Sequence, residues 1–225
     1  MSSRDAILGR IKNQLSLKMS DDEIQARVPH TRTRLKKPKA GVLPKVPSTS
    51  NSSLINQFKK EAIEIQSTIT VCERANVGDE IETYFKKNDL PSKFRMGDDK
   101  RVATLVAKLK KNTEILVGVS DGQDTVCVTH CEYGVAETGT LALVSGEHNP
   151  TSNNFLPTHH VVLLRQRDIV AHYEDVWKKL RVKYKGQKFP RTVNLVSGPS
   201  RSGDIEQKII LGAHGPTSLH IIIYK

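Results

Sequence analysis

The chain has 225 residues, of which 37% are hydrophobic and 5% aromatic, so its core must consist mainly of aliphatic side chains. This length suits one domain with a sizeable core, and no apolar run approaches the roughly 18 residues that span a bilayer. The first residues also lack the apolar stretch of a signal peptide. We therefore expect a cytoplasmic protein without a membrane span.

The formal charge of +11 is concentrated near the amino end. Residues 1–60 hold 13 Lys and Arg against 4 Asp and Glu, whereas residues 61–225 hold 22 against 20. The stretch 27–45 has seven basic residues and no acidic one, and its prolines are expected to interrupt any helix. We interpret it as a basic arm that is solvated or lies over the protein or a partner. Binding to nucleic acid or an acidic membrane is the alternative, but without stacking aromatics or a recognition helix no specific nucleic-acid partner is predicted.

The first predicted element is a helix capped by Ser2 or Ser3. Its apolar positions fall at helical spacing and form a narrow stripe on a charged rod: Ile7, Leu8, Ile11 and Leu15. Such a helix either docks on another subunit or packs back on its own domain. A Ser/Thr/Asn linker at 48–53 then separates the amino-terminal part, residues 1–53, from a predicted domain over residues 54–225.

From residue 54 onward, helical and strand patterns alternate. Helices are predicted at 53–66, 78–87, 99–111 and 168–180, and strands at 68–72, 93–96, 115–119, 125–129, 139–145, 161–164, 192–196 and 219–224. This order predicts an α/β fold with an open, mixed, mainly parallel sheet flanked by helices. Asp168 is the expected cap of the last helix, and Trp177 lies on its apolar face as a core residue.

The three cysteines, Cys72, Cys127 and Cys131, are expected to be free thiols in a reducing compartment. No second pair completes a four-ligand site, and His214 and His220 have no Glu or Cys at ligand spacing. We therefore predict no metal site and no cofactor held by this chain.

The segment 136–140 (AETGT) places a carboxylate before an apolar strand. Glu137 is a candidate base, nucleophile or hydrogen-bond anchor, and Thr138 and Thr140 are candidate hydroxyl donors around Gly139. The structural alternative is that Glu137 caps backbone donors, that Gly139 fits a bulge and that the threonines only favour a strand.

The segments 197–206 (SGPSRSGDIE) and 212–216 (GAHGP) predict an anion site. A small-residue loop that leaves a strand and starts a helix directs backbone N–H groups and the helix dipole at an anion. Arg201 adds a forked donor, and Asp204 suits the first turn of the predicted helix. His214 is a general acid, an anion contact, or a turn histidine bonded to backbone.

Two neighbouring segments bear on the same site. The polar loop 147–154 is either a lid or a surface connection. His159 and His160 begin a strand, so their side chains point to opposite faces and cannot both serve one ligand.

Together, the segments 136–140, 197–206 and 212–216 resemble the LUD domain of the lactate utilization protein C family, over residues 54–225. The sequence differs at Ser202-Gly203, where that family more often has Thr-Ala, and in the basic arm. The positions that match its motifs are Glu137, Thr138, Gly139, Thr140, Gly198, Pro199, Ser200, Arg201, Asp204, Glu206, His214, Gly215 and Pro216.

The resemblance implies a fold similar to the NagB/RpiA/CoA transferase-like proteins, with ligands at the carboxyl ends of the strands. It also implies a subunit or accessory protein of a cytoplasmic system that oxidises L-lactate to pyruvate, in which the iron–sulfur clusters belong to partner proteins. The alternative is a free-standing acyl- or phosphate-handling transferase or isomerase. The resemblance assigns no catalytic residue, which leaves Glu137 and His214 as candidates that we expect to line the same crevice as Arg201. Those expected to bind a small carboxylate or phosphate are Thr138, Gly139, Thr140, Gly198, Ser200, Arg201, Asp204 and Gly215.

Overall fold

A computed structural model describes residues 3–16, 20–36, 42, 50–109, 113–205 and 208–225. The chain divides into two units, Met1–Leu43 and Pro44–Lys225. None of the described helices is both long enough and apolar enough to cross a bilayer.

The first unit contains helices α1 (Ser3–Ser16) and α2 (Asp21–Lys36). Three residues of the predicted stripe on α1 are about half exposed, at 55% for Ile7 and 51% for both Leu8 and Ile11.

Helix α2 corrects the prediction that prolines exclude a helix from the basic arm, because Pro29 lies inside it. A capping box starts the helix: the Ser20 backbone N–H donates to Glu23 Oε2 at 2.8 Å, and the Glu23 N–H donates to Ser20 Oγ at 3.2 Å. The Ser-x-x-Glu spacing is the sequence signal that the proline argument overlooked. The remainder of the predicted arm, 37–41 and 43–45, lies outside the described residues.

The second unit alternates helices and strands as predicted. Its helices are α3 (Asn51–Glu64), α4 (Val77–Lys87), α5 (Lys100–Val106), α6 (Ser152–Phe155) and α7 (Tyr173–Lys183). Its strands are β1 (Thr68–Cys72), β2 (Lys93–Met96), β3 (Glu114–Val117), β4 (Val126–His130), β5 (Tyr133–Val135), β6 (Thr140–Val144), β7 (His159–Arg165), β8 (Ile169–Val170), β9 (Val193–Val196), β10 (Arg201–Ile205), β11 (Lys208–Leu211) and β12 (Ser218–Tyr224).

A six-stranded sheet with the order β1-β12-β7-β4-β2-β3 forms the centre, and every recorded pair in it is parallel. Helices α4 and α5 cover one face, where their apolar side chains pack against Ile222 and Tyr224 of β12. The other face packs against α3 and a second sheet through Leu219, Ile221 and Ile223 of the same strand. The twofold alternation of strand side chains thus supplies both cores. The predicted α/β fold with a mainly parallel sheet is confirmed.

The second sheet has the order β8-β5-β6-β9, with antiparallel pairs β5–β6 and β6–β9. It corrects the predicted start of the last helix. Ile169 and Val170 form β8, where they pair with β5, and α7 begins only at Tyr173 with His172 as its N-cap. Two β-branched residues opposite a partner strand favour pairing over a first helical turn. Trp177 packs against the core between this sheet and α7, as predicted.

Candidate functional site

A cavity of about 260 Å³ lies beneath the two glycine- and proline-rich loops at 197–200 and 212–217. Five of the ten residues predicted as catalytic candidates or ligand contacts line it: Gly198, Ser200, Arg201, His214 and Gly215. The two loops lie on either side of the β10–β11 hairpin, and the fold brings both of them to one cavity.

The cavity lies at the amino ends of two central strands, since His160 is the second residue of β7 and Leu219 the second residue of β12. On its other side it meets the carboxyl end of β9 through Val196 and Ser197. This cavity therefore meets the carboxyl end of β9 in the second sheet but the amino ends of the central strands in the parallel sheet. Since β9 belongs to the second sheet and β12 to the parallel sheet, the cavity lies between the two sheets.

Backbone hydrogen bonds tie the two loops together. The Ser200 N–H donates to the Pro216 carbonyl at 2.8 Å, and the Gly212 N–H donates to the Ser200 carbonyl at 2.9 Å. The Ser200 hydroxyl also accepts from the His214 N–H at 3.2 Å. Ser200 therefore holds the second loop in place as well as lining the cavity.

Gly198 is required by its surroundings. Its φ is +78°, and a Cβ at this position would lie 2.4 Å from the Ile65 carbonyl oxygen at the end of α3. Both the left-handed conformation and the close approach exclude an ordinary side chain. The loop is thus seated on the end of α3.

The Arg201 guanidinium is anchored on the same carbonyl, because Nη2 donates to Ile65 O at 2.8 Å. A guanidinium has five N–H donors, so most of them remain for another acceptor. The residue is exposed and lines the cavity. Arg201 is therefore a positioned cation at the cavity rim.

Two buried polar side chains that line the cavity have atoms without a hydrogen-bond partner among the described residues. His160 is fully buried, and its Nε2 lies 2.7 Å from Thr129 Oγ1 while its Nδ1 has no partner. Asn154 is 1% exposed, and neither its Oδ1 nor its Nδ2 has one. Since buried polar atoms are nearly always hydrogen-bonded, these three atoms are available to a ligand or to water.

Burial lowers the pKa of His160 to about 3, so the imidazole is neutral at pH 7. When the Thr129 hydroxyl donates to Nε2, the tautomer carries its proton on Nδ1, which then becomes a donor. A carboxylate or phosphate oxygen would select this tautomer. The cavity thus offers neutral donors behind a cationic rim.

The helix predicted after Arg201 is not formed. Residues Arg201–Ile205 form β10, which pairs antiparallel with β11. The β-branched residues Ile205, Ile209 and Ile210 favour a hairpin, so this segment directs no helix amino end at the cavity. Asp204 belongs to this hairpin and not to a helical first turn, and Glu206 lies outside the described residues.

Glu137 does not line the cavity. Its Oε1 accepts from the Tyr173 N–H at 3.1 Å, and its Oε2 lies 2.8 Å from His172 Nδ1. Both oxygens are thus bound at the start of α7, where a negative charge complements the helix dipole. The predicted meeting of Glu137 and Arg201 over one pocket is wrong, and the capping alternative describes this residue.

The motif around Glu137 reaches the cavity only through hydroxyl groups. Thr138 Oγ1 and Thr140 Oγ1 are 2.7 Å apart, and both contact the Tyr173 hydroxyl, at 2.9 and 2.7 Å. Thr140 Oγ1 also lies 2.5 Å from Oγ of Ser197, which lines the cavity. Thr138, Gly139 and Thr140 therefore support the cavity wall and do not themselves line it.

Of the two buried polar residues, the sequence pointed to His160 only as one of two adjacent histidines that cannot both serve one ligand. The opposite orientation of the paired histidines is confirmed: His160 lines the cavity, whereas His159 Nδ1 lies 2.9 Å from the Tyr84 hydroxyl. Asn154 was missed as an individual residue, because an asparagine in a polar, proline-broken loop resembles a surface residue. Only the fold shows that Asn154 is buried while Glu147 and His148 of the same loop are exposed.

No group of three or more His, Cys, Asp or Glu side chains that could hold a metal ion occurs among the described residues. All three cysteines are free thiols. Burial raises the pKa of Cys127 to about 12 and that of Cys72 to about 11, so both are protonated at neutral pH.

Three comparisons bear on identity. A family model described as the LUD domain matches residues 55–224. Lactate utilization protein C of Halalkalibacterium halodurans is 35% identical over 95 residues, which cover 42% of this chain and 41% of that protein. Uncharacterized protein YkgG of Escherichia coli K12 is 34% identical over 103 residues, or 45% of each chain. These alignments span less than half of either relative.

A longer but weaker similarity links the chain to lactate utilization protein C of Anoxybacillus flavithermus. It is 23% identical over 184 residues, 77% of this chain and 81% of that protein. Among solved structures, a DUF162 family protein from Deinococcus radiodurans superposes with a TM-score of 0.62 at 17% identity, covering 79% of this chain and 100% of the other. This structural similarity shows a shared fold.

Proposed function

Because the chain belongs to the LUD domain family, we propose that it is a component of a lactate utilization system and that the cavity beneath the two loops binds a small carboxylate. Curated relatives named lactate utilization protein C support the first part. The second part rests on one observation: His160 and Asn154, both buried with unpartnered polar atoms, line the same cavity as the Arg201 guanidinium.

The chemistry of these groups matches a small hydroxy or keto acid. Arg201 can bind a carboxylate through two parallel N–H donors. Asn154 offers both a donor and an acceptor, and neutral His160 offers a further donor. A cavity of about 260 Å³ encloses only a small molecule. L-lactate and pyruvate have the required size and charge.

We also propose that the electron-transfer steps of such a system reside on iron–sulfur partner proteins. The protein would then bind the acid, or a partner that carries it, in the cytoplasm. The alternative of a free-standing transferase or isomerase relies on Glu137 as nucleophile or base. Both Glu137 oxygens are hydrogen-bonded at the start of α7 and are not free for attack, which disfavours this alternative.

Titration calorimetry of the purified chain with L-lactate tests the carboxylate site. Arg201→Gln should weaken binding by about tenfold, the effect of losing one charge-assisted hydrogen bond. Arg181→Gln is the matched control, because Arg181 is exposed on α7 and does not line the cavity. Equal weakening in both variants, or no binding of L-lactate or pyruvate to the wild type, would contradict the proposal.

Asn154→Leu separates binding from folding. It removes two unpartnered polar atoms, so the thermal midpoint should stay unchanged or rise while L-lactate binding falls. The control is Asn153→Leu: Asn153 Oδ1 accepts from the Ser120 N–H at 2.7 Å and Nδ2 donates to the Gly118 carbonyl at 2.9 Å, so this variant should be destabilised. A large loss of stability in Asn154→Leu would instead assign Asn154 to the core.

The partner proposal has a separate test. Affinity-tagged chain should co-purify, from cells of its source grown on L-lactate, with proteins that contain iron and acid-labile sulfide. If the tagged chain elutes alone and oxidises or transforms a small acid by itself, the subunit proposal is wrong.

A further inference from the structure

A second cavity, of about 430 Å³, lies at the carboxyl ends of the parallel strands, whereas the first cavity lies at their amino ends. It is where β1, β12 and β7 end, and these three strands are neighbours in the sheet. Its lining residues are Asn51, Arg74, Arg165, Gln166, Arg167 and Lys225. None of them lines the first cavity.

The sheet topology brings the four basic residues together. Arg165 is the last residue of β7, and Arg167 belongs to the short 3₁₀ turn that follows. Arg74 starts the 3₁₀ turn after β1, and Lys225 follows β12. Because carboxyl ends of parallel strands share one edge, residues from three distant segments converge there. Ligands of open α/β sheets commonly bind at this edge.

These positive charges are only partly neutralised. Lys225 Nζ lies 2.6 Å from Glu73 Oε1, and Arg165 Nε lies 3.9 Å from Asp168 Oδ2. Arg74 and Arg167 form no ion pair with any residue that the structure describes. Both guanidinium groups are exposed, and Asp168 attracts Arg167 as well as Arg165. The four basic residues still outnumber the acidic ones beside them, so the cluster keeps a positive potential that suits an anion.

The start of α3 adds to the positive potential. Asn51, the first residue of this 14-residue helix, lines the cavity. The Ser50 side chain accepts from the Ser53 N–H and the Ser50 carbonyl from the Leu54 N–H, which leaves the earlier N–H groups of the turn for an acceptor nearby. The positive end of the helix dipole thus acts in the same direction as the basic side chains.

We propose that this cavity binds the phosphate groups of a small phosphorylated metabolite. Guanidinium groups match phosphate oxygens through forked hydrogen bonds, and several of them suit a diphosphate better than a single carboxylate. The basic residues form a compact cluster and not the extended stripe that a duplex requires, which favours a small molecule. This inference is independent of the proposed carboxylate site, since the two cavities share no residue.

Calorimetric titration with inorganic pyrophosphate, at constant ionic strength, tests the proposal. The double variant Arg74→Gln/Arg167→Gln should lose at least about tenfold in affinity for each charge removed, while Arg181→Gln binds as the wild type does. Pyrophosphate should raise the thermal midpoint of the wild type and not of the double variant. Without ligand, the double variant should be at least as stable as the wild type, because it relieves repulsion.

Four results would overturn the inference. These are no binding of pyrophosphate, equal binding by the double variant and the Arg181→Gln control, equal effects of sulfate and pyrophosphate at matched ionic strength, and binding of a 20-base-pair duplex without binding of pyrophosphate. L-lactate titrations of the same variants keep the two proposals apart. Arg74→Gln/Arg167→Gln should leave L-lactate binding unchanged, and Arg201→Gln should leave pyrophosphate binding unchanged.

Discussion

The two motif-bearing regions, residues 136–140 and residues 197–216, use their polar groups in opposite ways. In the first, both oxygens of Glu137 are bound at the start of α7, and the threonine hydroxyls bond to each other and to Tyr173. The second adjoins a cavity where His160 and Asn154 keep unpartnered atoms. Saturated hydrogen bonding is typical of a structural element, whereas the unpartnered atoms that line the cavity are available to a ligand or to water.

The glycines of the two regions, in contrast, have the same structural role. Gly139 and Gly198 both have positive φ and both lie against the end of α3, near Ala62 and Ile65 respectively. Each allows a loop to approach the helix backbone more closely than a Cβ permits. The end of α3 is thus a common platform, and the glycines alone do not reveal which loop faces a ligand.

The largest expected effect comes from acid, which acts on the buried histidines. Burial lowers the pKa of His160 to about 3 and the pKa values of His130 and His220 to about 4. In the unfolded chain these groups titrate near 6.5, so below that pH the unfolded state binds more protons. Their contribution is complete above pH 6.5 and is lost as the pH falls towards 4. Urea unfolding should show a loss of about 2 kcal/mol per histidine between pH 7 and pH 5.

His160→Gln identifies the share of the loss that belongs to the cavity. The pH dependence of this variant between 7 and 5 should be smaller than that of the wild type by one histidine. Saturating L-lactate should also reduce the loss in the wild type, because a bound carboxylate favours the imidazolium. An unchanged pH dependence in His160→Gln would show that this histidine is not buried in its neutral form.

Gly139→Ala should cause the next largest effect and confirm that the first motif is structural. A Cβ at residue 139 would lie 2.4 Å from Ala62 N and 2.6 Å from Ala62 Cα, both backbone atoms of α3, and φ is +63°. We expect a loss of about 3 kcal/mol or more in the free energy of unfolding. Gly186→Ala is the control: its φ is +75° but nothing lies within 4 Å, so strain alone should cost about 1 kcal/mol. Similar losses in both variants would show that α3 yields to the extra methyl group.

The order of elements and the parallel sheet could be predicted because both depend on local periodicity. Strand β1 and strand β2 were predicted at their observed bounds, and β12 began one residue earlier than predicted. The predictions failed where a distant partner decides the structure. Ile169 and Val170 become a strand only because β5 lies beside them, and the segment after Arg201 pairs with β11 instead of forming a helix.

The candidate site was predicted in outline and not in its polar contacts. The glycine- and proline-rich loops are local signals, and they do meet over one cavity. The roles of Glu137 and Asn154 depend on which neighbour fills their hydrogen bonds, and no spacing in the sequence contains that information. A carboxylate before a small-residue turn is equally suited to catalysis and to capping until α7 is placed.

Substitution of Glu137 should give the smallest change in stability, and it tests most specifically whether residues 136–140 are structural. Glu137→Ala should lower the free energy of unfolding by about 2 kcal/mol, because the Tyr173 N–H and His172 lose their acceptor at the start of α7. Glu137→Gln keeps one carbonyl oxygen for the Tyr173 N–H and should lose only about half as much. Neither change should alter L-lactate binding, since Glu137 does not line the cavity. A Gln variant with wild-type stability and abolished binding would move Glu137 from the structural region into the ligand site, because only a group that meets the ligand affects binding without affecting the fold.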